Sequence, residues 1–206
     1  MDATLRRLAL DCKGYLDDEE GLRLYELGRE MGAVGPVLEL GSYCGKSSIY
    51  LGAGVQQAGG TLFCLDHHRG SEEHQPGEGY HDPELFDQVV QRMDSLPALR
   101  RNLHAANLER STVLLVARSQ DLAPLWNTPL AMVFIDGGHS FEQAFADYDG
   151  WADKVVAGGV LAIHDLFPNV EEGGQAPIEI YRKALSSGRF EALSTTKTLG
   201  VLRRLP

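Results

Sequence analysis

The sequence predicts an α/β fold: a doubly wound, mostly parallel sheet with helices on both faces and an antiparallel C-terminal edge. Three observations carry this. Short apolar runs alternate with stretches of helical periodicity, the pattern of repeated β–α–β units. Several of these runs end in loops bearing Gly or Asp, where parallel sheets present their carboxyl ends to ligands. The last two candidate strands are joined by a short turn, which suits an antiparallel pair and not a parallel crossover.

Taken in order, residues 18–32 place Leu22, Tyr25, Leu27 and Met31 at roughly helical spacing, and Gly32 with Gly35-Pro36 stops that helix. The acidic run Asp17 to Glu20 reads as a solvated helix start, where negative charge is favourable. Val37 to Leu40 is a buried strand ahead of a glycine loop, 46–58 a helix, and 61–66 a second strand after the Gly59-Gly60 turn. Residues 67–83 are polar and carry four histidines (67, 68, 74 and 81), which predicts a long loop or lid. Helix is expected from about 84 to 106, broken at Pro97. Residues 112–116 form a third strand, a short helix starts at Gln120, and 130–136 form a fourth strand. Phe141, Phe145 and Tyr148 mark a helix that Gly158-Gly159 should end; 160–163 is then a fifth strand. A loop at 166–176, a helix at 177–187 and strands at 190–194 and 199–203 complete the chain. Residues 1–206 read as one domain, with N-terminal helices over 1–35 and the sheet-based core over 36–206.

Composition narrows the function. With 43% hydrophobic and 23% charged residues the chain is of the globular type, and no run approaches the roughly 18–20 apolar residues of a membrane span. The start, MDATLRRLALDCKGYLDDEE, has no long apolar core or cleavage site, which predicts a mature cytoplasmic protein. The net charge of −10, with scattered Lys and Arg, argues against nucleic acid and favours an uncharged small molecule. The three cysteines (12, 44 and 64) form no CxxC pair, so neither a disulfide framework nor a zinc site is expected. Trp126, Phe141 and Trp151 read as core.

The loop after the first strand reads Glu39-Leu40-Gly41-Ser42-Tyr43-Cys44-Gly45-Lys46-Ser47. Its glycines allow a tight turn and close approach of a ligand to the backbone. The helix that follows turns its N-terminal amides toward the bound molecule. Three residues separate Gly41 from Gly45, which breaks the Walker pattern, and no GxG opens a dinucleotide fingerprint. Asp66, at the end of the next strand, is placed to accept hydrogen bonds from ribose hydroxyls. His67 follows it and should approach the same ligand, as should His68.

The segments LELGSYCGKS, CLD, ARSQDL and VFIDGGH together resemble the metal-dependent small-molecule O-methyltransferases of the catechol type and, more closely, the macrolide-sugar O-methyltransferases. The resemblance spans about residues 36–166, and the look of the 66–83 loop extends it to the methylmannose-polysaccharide enzymes. It implies a Rossmann-like methyltransferase sheet and S-adenosylmethionine as cofactor. Around that cofactor it implies Glu39, Gly41, Ser42, Tyr43, Gly45, Ser47, Asp66, His67 and Asp136, with Ser119 and Gln120 near the adenine. It implies a metal, usually magnesium, on Asp136 and Asp165. The relatives carry Glu-Asp or Asp-Asn where this chain has His164-Asp165, and imidazole is a poorer partner for hard magnesium than oxygen. It also implies a dimer.

Methyl transfer to oxygen needs an aligned methyl donor, loss of the hydroxyl proton and stabilisation of the developing charge. Asp136 and Asp165, joined by His164, would hold the metal. His139, three residues after Asp136, has an ordinary pKa suited to a general base. Tyr80 in the histidine-rich loop could stack on a sugar ring. The expected activity is therefore methylation of a hydroxyl on a small molecule, a sugar or oligosaccharide foremost. A catechol-type or other natural-product acceptor is the alternative. A nucleotide-cofactor oxidoreductase and a non-catalytic nucleotide-cofactor-binding module are the readings from other classes.

Overall fold

The computed structural model describes the 206 residues except Glu72, Glu73, Pro76, Glu78, Tyr80 and His139. Two helices open the chain: α1 (Ala3–Asp11) and α2 (Asp18–Gly32). Asp17 caps α2 in a capping box, its side chain taking main-chain N–H groups while the Glu20 carboxylate accepts the Asp17 N–H. Strand β1 (Val37–Leu40) leads into α3 (Lys46–Gln57), and β2 (Leu62–Asp66) follows. A minimal hairpin, β3 (Phe86–Asp87) and β4 (Arg92–Met93), precedes α4 (Leu96–Ala105). Then come β5 (Thr112–Val116), α5 (Ser119–Leu122), β6 (Leu130–Ile135), α6 (Phe141–Trp151) and β7 (Val155–Ile163). Helix α7 (Ala176–Ser186), β8 (Phe190–Ala192) and β9 (Gly200–Arg204) close the chain.

Among the described residues the central sheet has seven strands in the order β5-β2-β1-β6-β7-β9-β8. The first five are parallel, and β9 and β8 run antiparallel, as expected. Alternation along the strands sorts side chains onto two cores. Val37, Leu62, Cys64, Met132 and Phe134 pack toward α1 to α4, whereas Leu38, Leu65, Val133 and Ile135 pack toward α6 and α7. Helices α2 and α3 lie in close contact. Gly54 of α3 faces the Tyr25 carbonyl so nearly that any Cβ there would collide with it.

Two boundaries differ from the sequence expectation. The stretch 84–95 is not helical: a 3₁₀ turn (Pro83–Leu85) and the β3–β4 hairpin occupy it, and α4 starts at Leu96. Pro97 thus opens a helix instead of breaking one, because a first-turn residue needs no main-chain N–H. Helix α6 ends at Trp151, and Gly158-Gly159 lie inside β7, near a register shift opposite Leu130 and Met132. Phe141, expected in the core, is 56% exposed, while Trp151 is fully buried. No helix among the described residues is long and apolar enough to cross a membrane.

Candidate active site

The strand order reverses at β1, which lies between β2 and β6. The loops after β1 and β6 therefore diverge above the sheet and leave a crevice at its carboxyl edge. At this point Gly41 has φ +87° and passes directly over the Asp136 carbonyl, where a side chain would collide. A cleft of about 1040 Å³ opens there, lined by Gly41, Ser42, Tyr43, Ser47, Asp66, His67, Ser119, Gln120, Asp136, His164 and Asp165. That volume suits a nucleotide-sized cofactor together with an acceptor.

Asp66 links the first two loops. Its Oδ2 accepts the Tyr43 N–H at 2.8 Å and its Oδ1 the His68 N–H at 2.7 Å. On the far side, Ser119 opens α5. Its hydroxyl accepts a hydrogen bond from Trp151 Nε1 at 2.7 Å and lies against Asp147. Burial pushes the Asp147 carboxyl up to about 6, with the Ser119 hydroxyl opposing. Asp147 and Gln143, both on α6, also border the cleft, and sequence reasoning passed over both.

The ends of β6 and β7 build an acidic centre around one histidine. His164 Nδ1 is 3.0 Å from Asp136 Oδ1 and 3.4 Å from Asp165 Oδ1, and its Nε2 is 3.0 Å from Glu20 Oε2. Burial disfavours the imidazolium. The charges and hydrogen bonds of Asp136, Asp165 and Glu20 outweigh it and hold the His164 pKa well above the usual histidine range. Desolvation likewise opposes the Glu20 carboxylate, but His164 and Thr198 bring its pKa below the ordinary value. One donor atom each from Asp136, His164 and Asp165 lies within 4.8 Å of the others, an arrangement with room for a divalent cation. Glu20 is the residue the sequence hides. Its capping-box spacing reads as a solvated helix start, yet it is 2% exposed and touches the centre of the site.

Other expected residues sit elsewhere. Glu39 is fully buried beneath the loop, hydrogen-bonded to Ser48 and with its pKa raised by desolvation, and does not border the cleft. Gly45 caps α3 in a left-handed conformation, also away from the cleft wall. His68, expected to approach the ligand, points into the protein, with Nδ1 2.8 Å from the Ser95 hydroxyl; burial lowers its pKa. His67 does line the cleft. Burial lifts the Cys44 thiol to about 12, which leaves it no thiolate at neutral pH. The expected base His139 and the expected stacking residue Tyr80 lie outside the described residues.

A family model described as a methyltransferase domain matches residues 38–166. The chain belongs to this methyltransferase-domain family. Solved structures agree on the fold. The O-methyltransferase TomG from Streptomyces achromogenes, involved in tomaymycin synthesis and solved with SAM, is 16% identical over 100% of this chain and 91% of its own, with a TM-score of 0.66. An O-methyltransferase from Bacillus cereus in complex with SAH is 19% identical over 100% and 92%, with a TM-score of 0.67. The O-methyltransferase NovP is 19% identical over 89% and 80%, with a TM-score of 0.64.

Proposed function

We propose that this methyltransferase uses S-adenosylmethionine to methylate a hydroxyl of a small molecule, a sugar or oligosaccharide foremost. The observation that carries the reading is one continuous cleft. It joins Asp66, Ser119 and Gln120 to the Asp136–His164–Asp165 centre. The same pairing of a cofactor end with a charged centre suits oxygen as the methyl acceptor.

In this reading Gly41, Ser42, Tyr43 and Ser47 receive the amino-acid part of the cofactor, and Asp66 binds its ribose beside His67. Ser119 and Gln120 hold the adenine. Glu39 and Gly45 support the loop from below. When bound, the cofactor supplies an electrophilic methyl group and departs as S-adenosylhomocysteine. Asp136 and Asp165, with His164, would hold a divalent cation, whose Lewis acidity makes a neighbouring hydroxyl more acidic. His139 takes the acceptor's proton as the C–O bond forms. The whole chain acts as one domain, in a cytoplasmic homodimer, on a small-molecule acceptor and without nucleic acid or membrane.

Titration calorimetry with S-adenosylhomocysteine, against NAD as control, tests the cofactor; absence of binding would remove the reading. A methyl-transfer assay over sugars and catechols then tests the acceptor. Product on catechols alone would move the acceptor to natural-product phenols. His139→Ala should lower kcat by about 10²–10⁴-fold while leaving S-adenosylhomocysteine affinity intact.

A further inference from the structure

The Glu20 carboxylate uses both oxygens. Oε1 accepts from the Thr198 N–H at 2.8 Å and from its hydroxyl at 2.7 Å. Oε2 accepts from the Asp17 N–H at 3.1 Å and faces His164 Nε2 at 3.0 Å. A group held by so many partners cannot swing away. An ionised carboxylate only accepts hydrogen bonds, so Nε2 carries a proton toward Glu20, and Nδ1, 3.0 Å from Asp136 Oδ1, is the ring atom at which a cation would take the place of a proton. Three carboxylates thus surround one imidazole. A second proton on the ring offsets one of the three charges, whereas a divalent ion offsets two.

Access points the same way. The His164 side chain is only 3% exposed, while those of Asp136 and Asp165 are 20% and 19% exposed and border the cleft. Open coordination positions would therefore face the space where an acceptor lies. Metal-binding histidines commonly give their second ring N–H to a carboxylate, which fixes the tautomer and raises the basicity of the ligating nitrogen. Glu20 is placed for that role.

We infer that the centre selects a divalent transition-metal ion of the Mn²⁺, Co²⁺ or Zn²⁺ kind over Mg²⁺, held by Asp136, Asp165 and Nδ1 of His164, with Glu20 as the positioning residue that orients the ring. This rests on the methyltransferase reading of the cleft and refines its metal. One imidazole with two carboxylates favours borderline ions, and Mg²⁺ favours an all-oxygen set with retained waters.

The test is calorimetric titration of the full chain with Mg²⁺, Mn²⁺, Co²⁺ and Zn²⁺, together with the visible spectrum of the Co²⁺ form. Mn²⁺ and Co²⁺ are expected to bind at least about tenfold more tightly than Mg²⁺. His164→Asn, which substitutes an amide oxygen, should weaken Co²⁺, change its visible bands and narrow the gap to Mg²⁺. Glu20→Gln should weaken Co²⁺ by about 10–100-fold while the variant still melts cooperatively and binds S-adenosylhomocysteine. Equal or tighter Mg²⁺ binding, a metal order unchanged in His164→Asn, or no binding of any ion would overturn the inference. If His164→Asn does not fold, the wild-type metal series and Glu20→Gln still decide. S-adenosylhomocysteine binding without metal preference would sink this inference alone. Its absence in the wild-type chain would sink the methyltransferase reading as well.

Discussion

Asp66 holds the main-chain N–H of Tyr43 at 2.8 Å and so ties the end of β2 to the glycine loop that leaves β1. Tyr43 has φ +44°, a conformation that side-chain-bearing residues adopt only when their surroundings enforce it. The carboxylate therefore shapes the loop and lines the cleft at once. Asp66→Ala removes both of its main-chain hydrogen bonds and should weaken S-adenosylhomocysteine by about 10–100-fold, the range of charge-assisted hydrogen bonds. Asp66→Asn, which keeps one acceptor, should lose less. Calorimetry on the two variants decides, and wild-type affinity in Asp66→Ala would exclude the ribose role.

Gly41→Ala should be among the most damaging single changes. Its positive φ disfavours any side chain, and the new Cβ would meet the Asp136 carbonyl. A loss of about 3 kcal/mol is expected, which lowers the melting midpoint by several degrees in a chain of this size. A midpoint within one degree of wild type would show that the two loops separate freely.

Asp147 makes stability depend on pH. Its folded pKa of about 6 lies above the ordinary value of 3.8, so the folded chain binds the proton more tightly than the unfolded one. Stability from this group is complete below about pH 4 and is lost as pH rises through 6. At roughly 1.4 kcal/mol per unit, the cost at neutral pH is about 3 kcal/mol. Asp147→Asn should accordingly be the more stable protein at pH 7.5, with the gain fading near pH 4. Urea denaturation at both values checks this; a variant weaker than wild type at pH 7.5 would mean the ionised carboxylate is the stabilising form.

Gly54→Ala tests the α2–α3 contact. The added methyl would press on the Tyr25 carbonyl and the Arg29 amide, forcing the helices apart at a cost of about 1–3 kcal/mol. Thermal melts should show the loss, with helical circular dichroism preserved below the transition.

The parallel sheet was legible because its signals are local: apolar runs of strand length, Gly and Asp at their ends, and helical periodicity between them. The pair of carboxylates at Asp136 and Asp165 was legible for the same reason, each standing where a strand stops. What escaped was set by contacts between distant segments. Glu20 carries the signature of a helix cap, and nothing in its neighbours reveals that β7 delivers a histidine to it. Glu39 lies next to the ligand loop in sequence, but the alternation of β1 turns its side chain down to Ser48. His67 and His68 are adjacent and face opposite ways, one to the cleft and the other to Ser95. Pro97 looks like a breaker in the sequence, but it stands in the first turn of α4, where proline acts differently than in the middle of a helix.

The bonds from Glu20 to His164 and Thr198 join residues 144 and 178 positions apart. A chain growing from its N-terminus makes the glycine loop, Asp66 and Ser119 long before Thr198 exists. Its charged centre is consequently complete only once Thr198 has been added to the chain. A ribosome-bound intermediate can possess the Asp66 side of the cleft while the bonds that fix Glu20 against His164 and Thr198 are still unmade.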